Sequence, residues 1–376
     1  MSLVDPIPLS RPDIAESDVA AVVQVLKTDR LSIGPQTEAF ERAIAARAGR
    51  KHGVAVNSGT SGLHLLVRAL GLGEGDEVVT TPFSFVATTN CLLYERAKPV
   101  FADIDPATYN VDPAALEAAI TPRTKAILPV EVFGNMAHFD AYERIARKHG
   151  LKMIEDCCEA LGGRLGGRAA GHFGDAGVFA YYPNKQITTG EGGMVVTDDA
   201  EVAELCRSMR NRGRDTKEWL AHARMGYNYR MSEITAALGV AQAARLEQIL
   251  AKRRRAAELY RQVLAGVEEI HLPPMAEPDQ ASWFVFVIRL ADRFSAAQRN
   301  ILMQHLRDHG IGCNPYFVPI HLQPYVREAL GTRAGQFPNT ERVAARTIAL
   351  PFFSTLKEEQ ALRVKTAITE WFSRGR

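Results

Sequence analysis

The sequence has no apolar run approaching the roughly 20 residues a membrane span needs. Its start, MSLVDPIPLSRPD, lacks the basic beginning and the long apolar run of a secretion signal. Both absences lead to the expectation of a cytoplasmic protein with no membrane role. Cysteine is scarce: Cys91, Cys157, Cys158, Cys206 and Cys313 form no CxxC pair of zinc spacing, and an odd count argues against a disulfide framework. They read as small buried hydrophobes, and no metal site is expected. Surplus charge is scarce too, since 45 Lys and Arg against 43 Asp and Glu leave a formal net charge of +2. Such a balance provides no basic field for nucleic acid or a membrane surface, so the partner to expect is a small molecule. No GxGxxG follows the first strand-like run, which argues against a dinucleotide-binding dehydrogenase. There is no internal repeat and no low-complexity tract.

What the chain does have is the composition of a globular protein, 46% hydrophobic and 23% charged over 376 residues. Short Val-, Ile- and Phe-rich runs recur at 52–58, 76–82, 98–104, 126–134, 152–158, 176–182 and 192–198. Each reads as a buried strand. Helical patterns such as SGLHLLVRALG, DPAALEAAI and HFDAYERIARKHG lie between most of them. This alternation predicts a mostly parallel α/β sheet with helices on both faces. A single long helix is expected over roughly 230–265, as a bridge to a smaller α+β domain. The boundaries we assign are 1–245 for the large domain and 246–376 for the small one, with the N-terminal segment able to pack on the latter.

Open α/β sheets bind ligands beyond the carboxyl ends of their strands, so the residues after each strand carry the chemistry. In NSGTSGLHL a strand turns through Ser58, Gly59 and Thr60 into a helix, whose first amides and dipole favour an anion such as phosphate. A plain N-cap is the alternative reading. In IEDCCEALGG, Asp156 ends an apolar strand, where a carboxylate needs a cationic partner; a pyridinium nitrogen would serve, as would an ordinary salt bridge. Lys185 follows the run AGVFAYY within YYPNKQITTGEGG. Loop lysines are usually solvated, but Pro183, Thr188, Thr189 and Gly190 shape this loop and aim the amine, which could then form a Schiff base with a carbonyl. Phe85 in TPFSFVATTN could cover a flat ring or be simple core. A phosphate cradle, a partner for a ring nitrogen, a stacking face and an aimed lysine are together the requirements of pyridoxal phosphate, which itself supplies the electron sink.

The stretch GDAGVFAYYPNKQITTGEGGMVVTDD, with IEDCCEA and NSGTSGLHL before it and GYNYRMSEI after it, resembles the DegT/DnrJ/EryC1/StrS family of pyridoxal-phosphate sugar aminotransferases. The resemblance runs from IPLSRPDI to LPFFSTLKEEQ, nearly end to end. It implies an aspartate-aminotransferase-like fold (fold type I), with a mixed, mostly parallel seven-stranded sheet. It also implies that Lys185 bonds the cofactor, Asp156 meets its ring nitrogen, Phe85 stacks on the ring, and Gly59 and Thr60 hold the phosphate. Asn228 would reach the phosphate of a neighbouring subunit's cofactor, making the active unit a homodimer with shared sites. Tyr316 and His321 would lie near a nucleotide-sugar pocket. The implied reaction moves an amino group from an amino acid, L-glutamate by expectation, to a nucleotide-linked keto sugar. GYNYRMSEI looks more like members that aminate C4 of a 4-keto-6-deoxy sugar than like those acting at C3.

Two positions depart from the family pattern. Ala180 stands where many members have a serine five residues before the lysine, and Glu159 where many have glutamine. A carboxylate at 159 would repel the cofactor's phenolate oxygen unless protonated or turned away. Aminotransfer to a keto-inositol or a C3 keto sugar, an amino-shikimate-type dehydration, and a non-enzymatic regulatory role remain as alternatives. Retention of both Lys185 and Asp156 weighs against the last.

Overall fold

The structure, a computed structural model, describes residues 5–214, 221–274 and 281–374. The seven runs form the seven strands of one sheet, in the order His52–Val56, Gly193–Thr197, Ala176–Ala180, Lys152–Asp156, Thr124–Leu128, Glu77–Thr80, Lys98–Phe101. Only Gly193–Thr197 runs against its neighbours; the remaining pairings are parallel. The sheet is therefore mixed and mostly parallel, and its strands are buried on both faces. Alternation along a strand sends successive side chains into two separate apolar layers. Met153, Cys157 and Phe179 pack with Phe40, Phe139 and Tyr142 on one face. Ile154, Val178 and Val195 pack with Leu63, Leu66 and Leu92 on the other.

The helices start and stop where local chemistry lets them. Ser58 caps Gly59–Ala69 by accepting the Ser61 N–H at 3.1 Å, and Asp112 caps Pro113–Ala118 by accepting the Ala114 N–H at 2.7 Å. Gly150, at φ 63°, ends Phe139–His149 in the left-handed conformation that glycine tolerates. The sequence reading assigned no element between residues 16 and 48, yet helices Glu16–Leu26 and Pro35–Ala48 lie there.

The single helix expected over 230–265 is two helices, Glu233–Ala244 and Leu246–Val263. The break falls at Arg245, whose guanidinium reaches Asp18 at 2.8 Å and Asp13 at 3.2 Å. Asp18 is fully buried and also accepts from Gln242 at 2.6 Å. Satisfying that buried carboxylate at the helix junction accounts for a break that apolar periodicity does not announce.

A second, antiparallel sheet joins Ile270–His271, Phe286–Leu290 and Thr347–Leu350, and helices Ala296–Asp308 and Glu358–Arg374 contribute to its core. Leu246 and Ile249 belong to the large sheet's core, whereas Ala256 and Tyr260 of the same helix belong to this second one. Ile7 is buried there as well, its N–H donating to Gly310 O at 2.8 Å and its carbonyl accepting from Gly312 N–H at 2.9 Å. Among the described residues no helix is long and apolar enough to cross a membrane. Cys91, Cys157, Cys206 and Cys313 are buried and Cys158 is partly so; all five are free thiols.

Candidate active site

A cavity of about 670 Å³ opens beyond the carboxyl ends of the central strands. Its wall includes Gly59, Thr60, Phe85, Asp156, Lys185 and Tyr316, drawn from distant parts of the chain. The structure thus brings these residues, all singled out from sequence, into one wall, and Glu159 stands there with them.

The loop carrying Lys185 is built by its own side chains. Thr188 Oγ1 donates to Tyr181 O at 3.0 Å and accepts the Gly190 N–H at 2.9 Å, while Thr189 Oγ1 donates to Glu191 O at 2.7 Å. Gly190 sits at φ 79°. Gln186 Nε2 ties the loop to Glu159 O at 2.6 Å and Ser282 Oγ at 2.7 Å. These bonds fix the backbone, and the lysine side chain, 12% exposed, reaches into the cavity. Its Nζ lies 3.9 Å from the centroid of the Phe284 ring and 3.7 Å from Glu159 Oε1.

Asp156 is the last residue of its strand and is 4% exposed. Its Oδ2 accepts the Thr88 hydroxyl at 2.8 Å, and its Oδ1 accepts the Cys158 N–H at 3.3 Å. Burial pushes its pKa up, against the opposing pull of Cys158, Thr88 and the Lys185 charge. A carboxyl so placed, and facing an open cavity, suits a cationic ligand group. Glu159 has its Oε2 held by the Phe133 N–H at 2.8 Å, and burial raises its pKa as well. Two buried carboxyls therefore share one nearby ammonium, Lys185.

At the other side of the cavity, helix Gly59–Ala69 points its free first-turn amides inward. A Cβ on Gly59 would stand 2.7 Å from Ala180 Cβ and 3.1 Å from Cys158 Sγ. Only a glycine at 59 lets the helix start pack this closely on Ala180, which places that departure from the family pattern directly beneath the helix N-terminus. Phe85 has 61% of its surface exposed on the cavity wall, unlike its buried neighbour Phe83.

Two residues from the sequence reading lie elsewhere. His321 is not in the cavity wall: it is fully buried, its Nε2 is 3.0 Å from Glu341 Oε1, and its ring meets Phe337 edge-on. The turn Ile320–Leu322 carries it inward, because Ile320 N–H is bonded to Pro82 O at 2.8 Å. Asn228 is exposed and also outside this wall, its carbonyl accepting from Asn57 Nδ2 at 3.4 Å. The sequence reading missed Thr88 and Phe284. Thr88 stands in the TPFSFVATTN stretch already quoted, so a hydroxyl there was a usable signal; nothing local marks Phe284.

A flat phosphorylated ring fits these residues: the helix N-terminus at Gly59 and Thr60 suits an anion, the buried Asp156 suits a cation, and one aimed amine lies at the wall. Fold and site define a pyridoxal-phosphate-dependent enzyme of fold type I. The chain belongs to the DegT/DnrJ/EryC1/StrS aminotransferase family, whose model matches residues 12–369. It is 38% identical to the pleiotropic regulatory protein of Geobacillus stearothermophilus, covering 93% of this chain and 92% of that one. It is 34% identical to the spore coat polysaccharide biosynthesis protein SpsC of Bacillus subtilis, covering 97% and 96%. Among solved structures, Helicobacter pylori PseC, an aminotransferase involved in the biosynthesis of pseudoaminic acid, superposes with a TM-score of 0.94 at 30% identity, covering 98% and 100%. The PLP form of Spr1654 of Streptococcus pneumoniae superposes with a TM-score of 0.92 at 27% identity, covering 98% and 99%. The protein is a pyridoxal-phosphate-dependent aminotransferase.

Proposed function

We propose that the protein moves an amino group from an amino acid, L-glutamate by preference, to a nucleotide-linked keto sugar at C4 of a 4-keto-6-deoxyhexose. The product would feed amino-sugar and polysaccharide biosynthesis in the cytoplasm. The observation that carries this reading is the convergence of the Lys185 amine and the Asp156 carboxyl on one cavity of about 670 Å³, roomy enough for a cofactor and a sugar. The described work of the PseC and SpsC relatives supports the substrate class.

Pyridoxal phosphate supplies an electron sink for the pair left when a substrate carbon loses its proton. Asp156 would answer the positive ring nitrogen, and the Gly59 and Thr60 amides would hold the phosphate. Phe85 would cover the ring face. Lys185 would anchor the cofactor and, once released, take the proton from the substrate carbon on Nζ and return it two atoms away, at the carbon the cofactor supplies. Phe284 flanks that amine and Tyr316 lines the wall of the same cavity. Asn228, exposed on this chain, would complete the phosphate site of a second copy, so the working unit is a homodimer with shared sites.

A panel of nucleotide-linked 4-keto and 3-keto sugars, with glutamate as donor and product mass as readout, tests the assignment. Amination of the 4-keto-6-deoxy sugars is expected. Turnover confined to 3-keto sugars or a keto-inositol would replace the substrate, and no turnover of any would favour the regulatory role named for one relative.

A further inference from the structure

Asp156 has a hidden counterpart. Behind it, on the opposite face of the same strand, Glu131, Glu155 and Cys157 place a carboxylate oxygen each and a sulfur within 4.8 Å of one another, all three fully buried. Among the described residues no donor reaches either oxygen of the Glu131 carboxyl. Glu155 is held quite differently. Its Oε1 accepts the Gly171 N–H and its Oε2 the Phe173 N–H, each at 2.7 Å, and the Arg50 guanidinium lies near, bound to Gly171 O at 2.8 Å and Phe173 O at 2.9 Å.

We propose that Glu131 and Glu155 hold one proton between them, and that through it Glu131 acts as a positioning residue for Asp156. An ionised Glu131 would sit in an apolar interior with no N–H, hydroxyl or cation to answer it. A protonated Glu131 instead becomes a donor, and the carboxyl beside it, Glu155, is already fixed as an acceptor by two amides. Cys157 is no competitor, since its thiol donates to Val178 O at 3.1 Å. The charged groups facing the pair are Arg50 and Asp156; burial, then the Glu155 and Asp156 charges, push the Glu131 carboxyl well above its ordinary range.

The link to the site is short. Glu131 N–H donates to Asp156 O at 3.2 Å, and Asp156 N–H donates to Pro129 O at 3.1 Å. The segment bearing Glu131 therefore clamps the backbone of the residue assigned to the ring nitrogen. A second full negative charge at the pair would also favour protonation of Asp156, removing the anion that the cofactor needs. Only that last task of Asp156 rests on the cofactor roles given above; the shared proton does not.

Infrared difference spectra of the unliganded wild-type protein and Glu131→Gln at neutral pH read the proton directly. The wild type should show the C=O stretch of an un-ionised carboxylic acid that the variant lacks. An empty difference in that region, or a stoichiometric metal ion in the wild type that Glu131→Gln loses, overturns the shared proton. Affinity for pyridoxal phosphate tests the positioning. Glu131→Gln, whose amide can still donate to Glu155, should bind within about twofold of wild type, and Glu131→Leu about tenfold more weakly. Equal binding by both variants removes the positioning role. Should Glu131→Leu fail to fold, the alkaline limb of cofactor binding decides, because wild type should lose affinity as the proton leaves and Glu131→Gln should not; superimposable profiles count against the role. A protein that shows the acid band yet binds no cofactor would sink the functional reading and leave the proton in place.

Discussion

Consecutive residues of one strand, Glu155 and Asp156, face opposite sides of the sheet and meet opposite treatments. Asp156 looks into an open cavity and receives two donors, the Thr88 hydroxyl and the Cys158 amide, with Lys185 across the space. Glu155 looks into a sealed interior, where two amides and a second carboxyl surround it. Each carboxyl receives two donors, but the front one also faces a cavity that a ligand can enter, whereas the back one faces only the fold. Burial alone therefore does not mark a functional acid; what marks it is whether a buried carboxyl borders space that something can bind in.

Substitutions on the two faces should separate activity from stability. Lys185→Ala, at the front, is expected to lower turnover by about 10³-fold or more, and borohydride should no longer fix the cofactor to the protein. Retained turnover would remove the lysine from the reaction. Glu155→Ala, at the back, strands two buried amides and should cost about 3 kcal/mol in urea unfolding of the unliganded protein. A cost near zero would mean that the back face is not held as described. Asp156→Asn should reduce kcat about a hundredfold while the unliganded protein stays at least as stable as wild type, since a buried charge is removed. A large loss of stability there would erase the contrast between the faces.

The smallest effect concerns pH. Folded Glu131 binds its proton more tightly than unfolded Glu131, so its stabilising contribution is complete below the ordinary carboxyl range and is lost as pH rises toward its raised folded value. The slope from one such group is at most about 1.4 kcal/mol per pH unit. Thermal unfolding of the unliganded protein across the neutral and alkaline range should show this fall in wild type and a flatter curve in Glu131→Gln. A steeper curve in the variant would reverse the sign and the argument.

The front of the site was legible because its parts follow their strands directly. Gly59, Asp156 and Lys185 each stand within a few residues of an apolar run, and the rule that ligands gather at the carboxyl ends of strands places them on one edge. Phe284 was not legible, because its position depends on contacts far away in sequence. Arg253, fully enclosed, donates to Trp283 O at 2.7 Å and Phe284 O at 2.7 Å, and so delivers the ring to Lys185. His321 shares a Pro-rich stretch with Tyr316, and sequence does not say which way each side chain turns; the bond from Ile320 to Pro82 sends one inward while the other reaches the cavity. Glu131 sits within AILPVEVFG, a run that reads whole as a strand although the strand stops at Leu128. A lone carboxylate amid that apolar run was the available sign of a proton-bearing interior.

The pairing of Ile7 with the segment from Gly310 to Gly312 also bears on how the chain is made. On the ribosome, the large sheet can close once residue 197 has emerged, but Ile7 must wait until its partner, more than a hundred residues further on, has been synthesised. Until then an apolar side chain and two strand-edge backbone groups stay open to other nascent chains, so this late seam is the place where slowed translation or a missing chaperone would show first as aggregation.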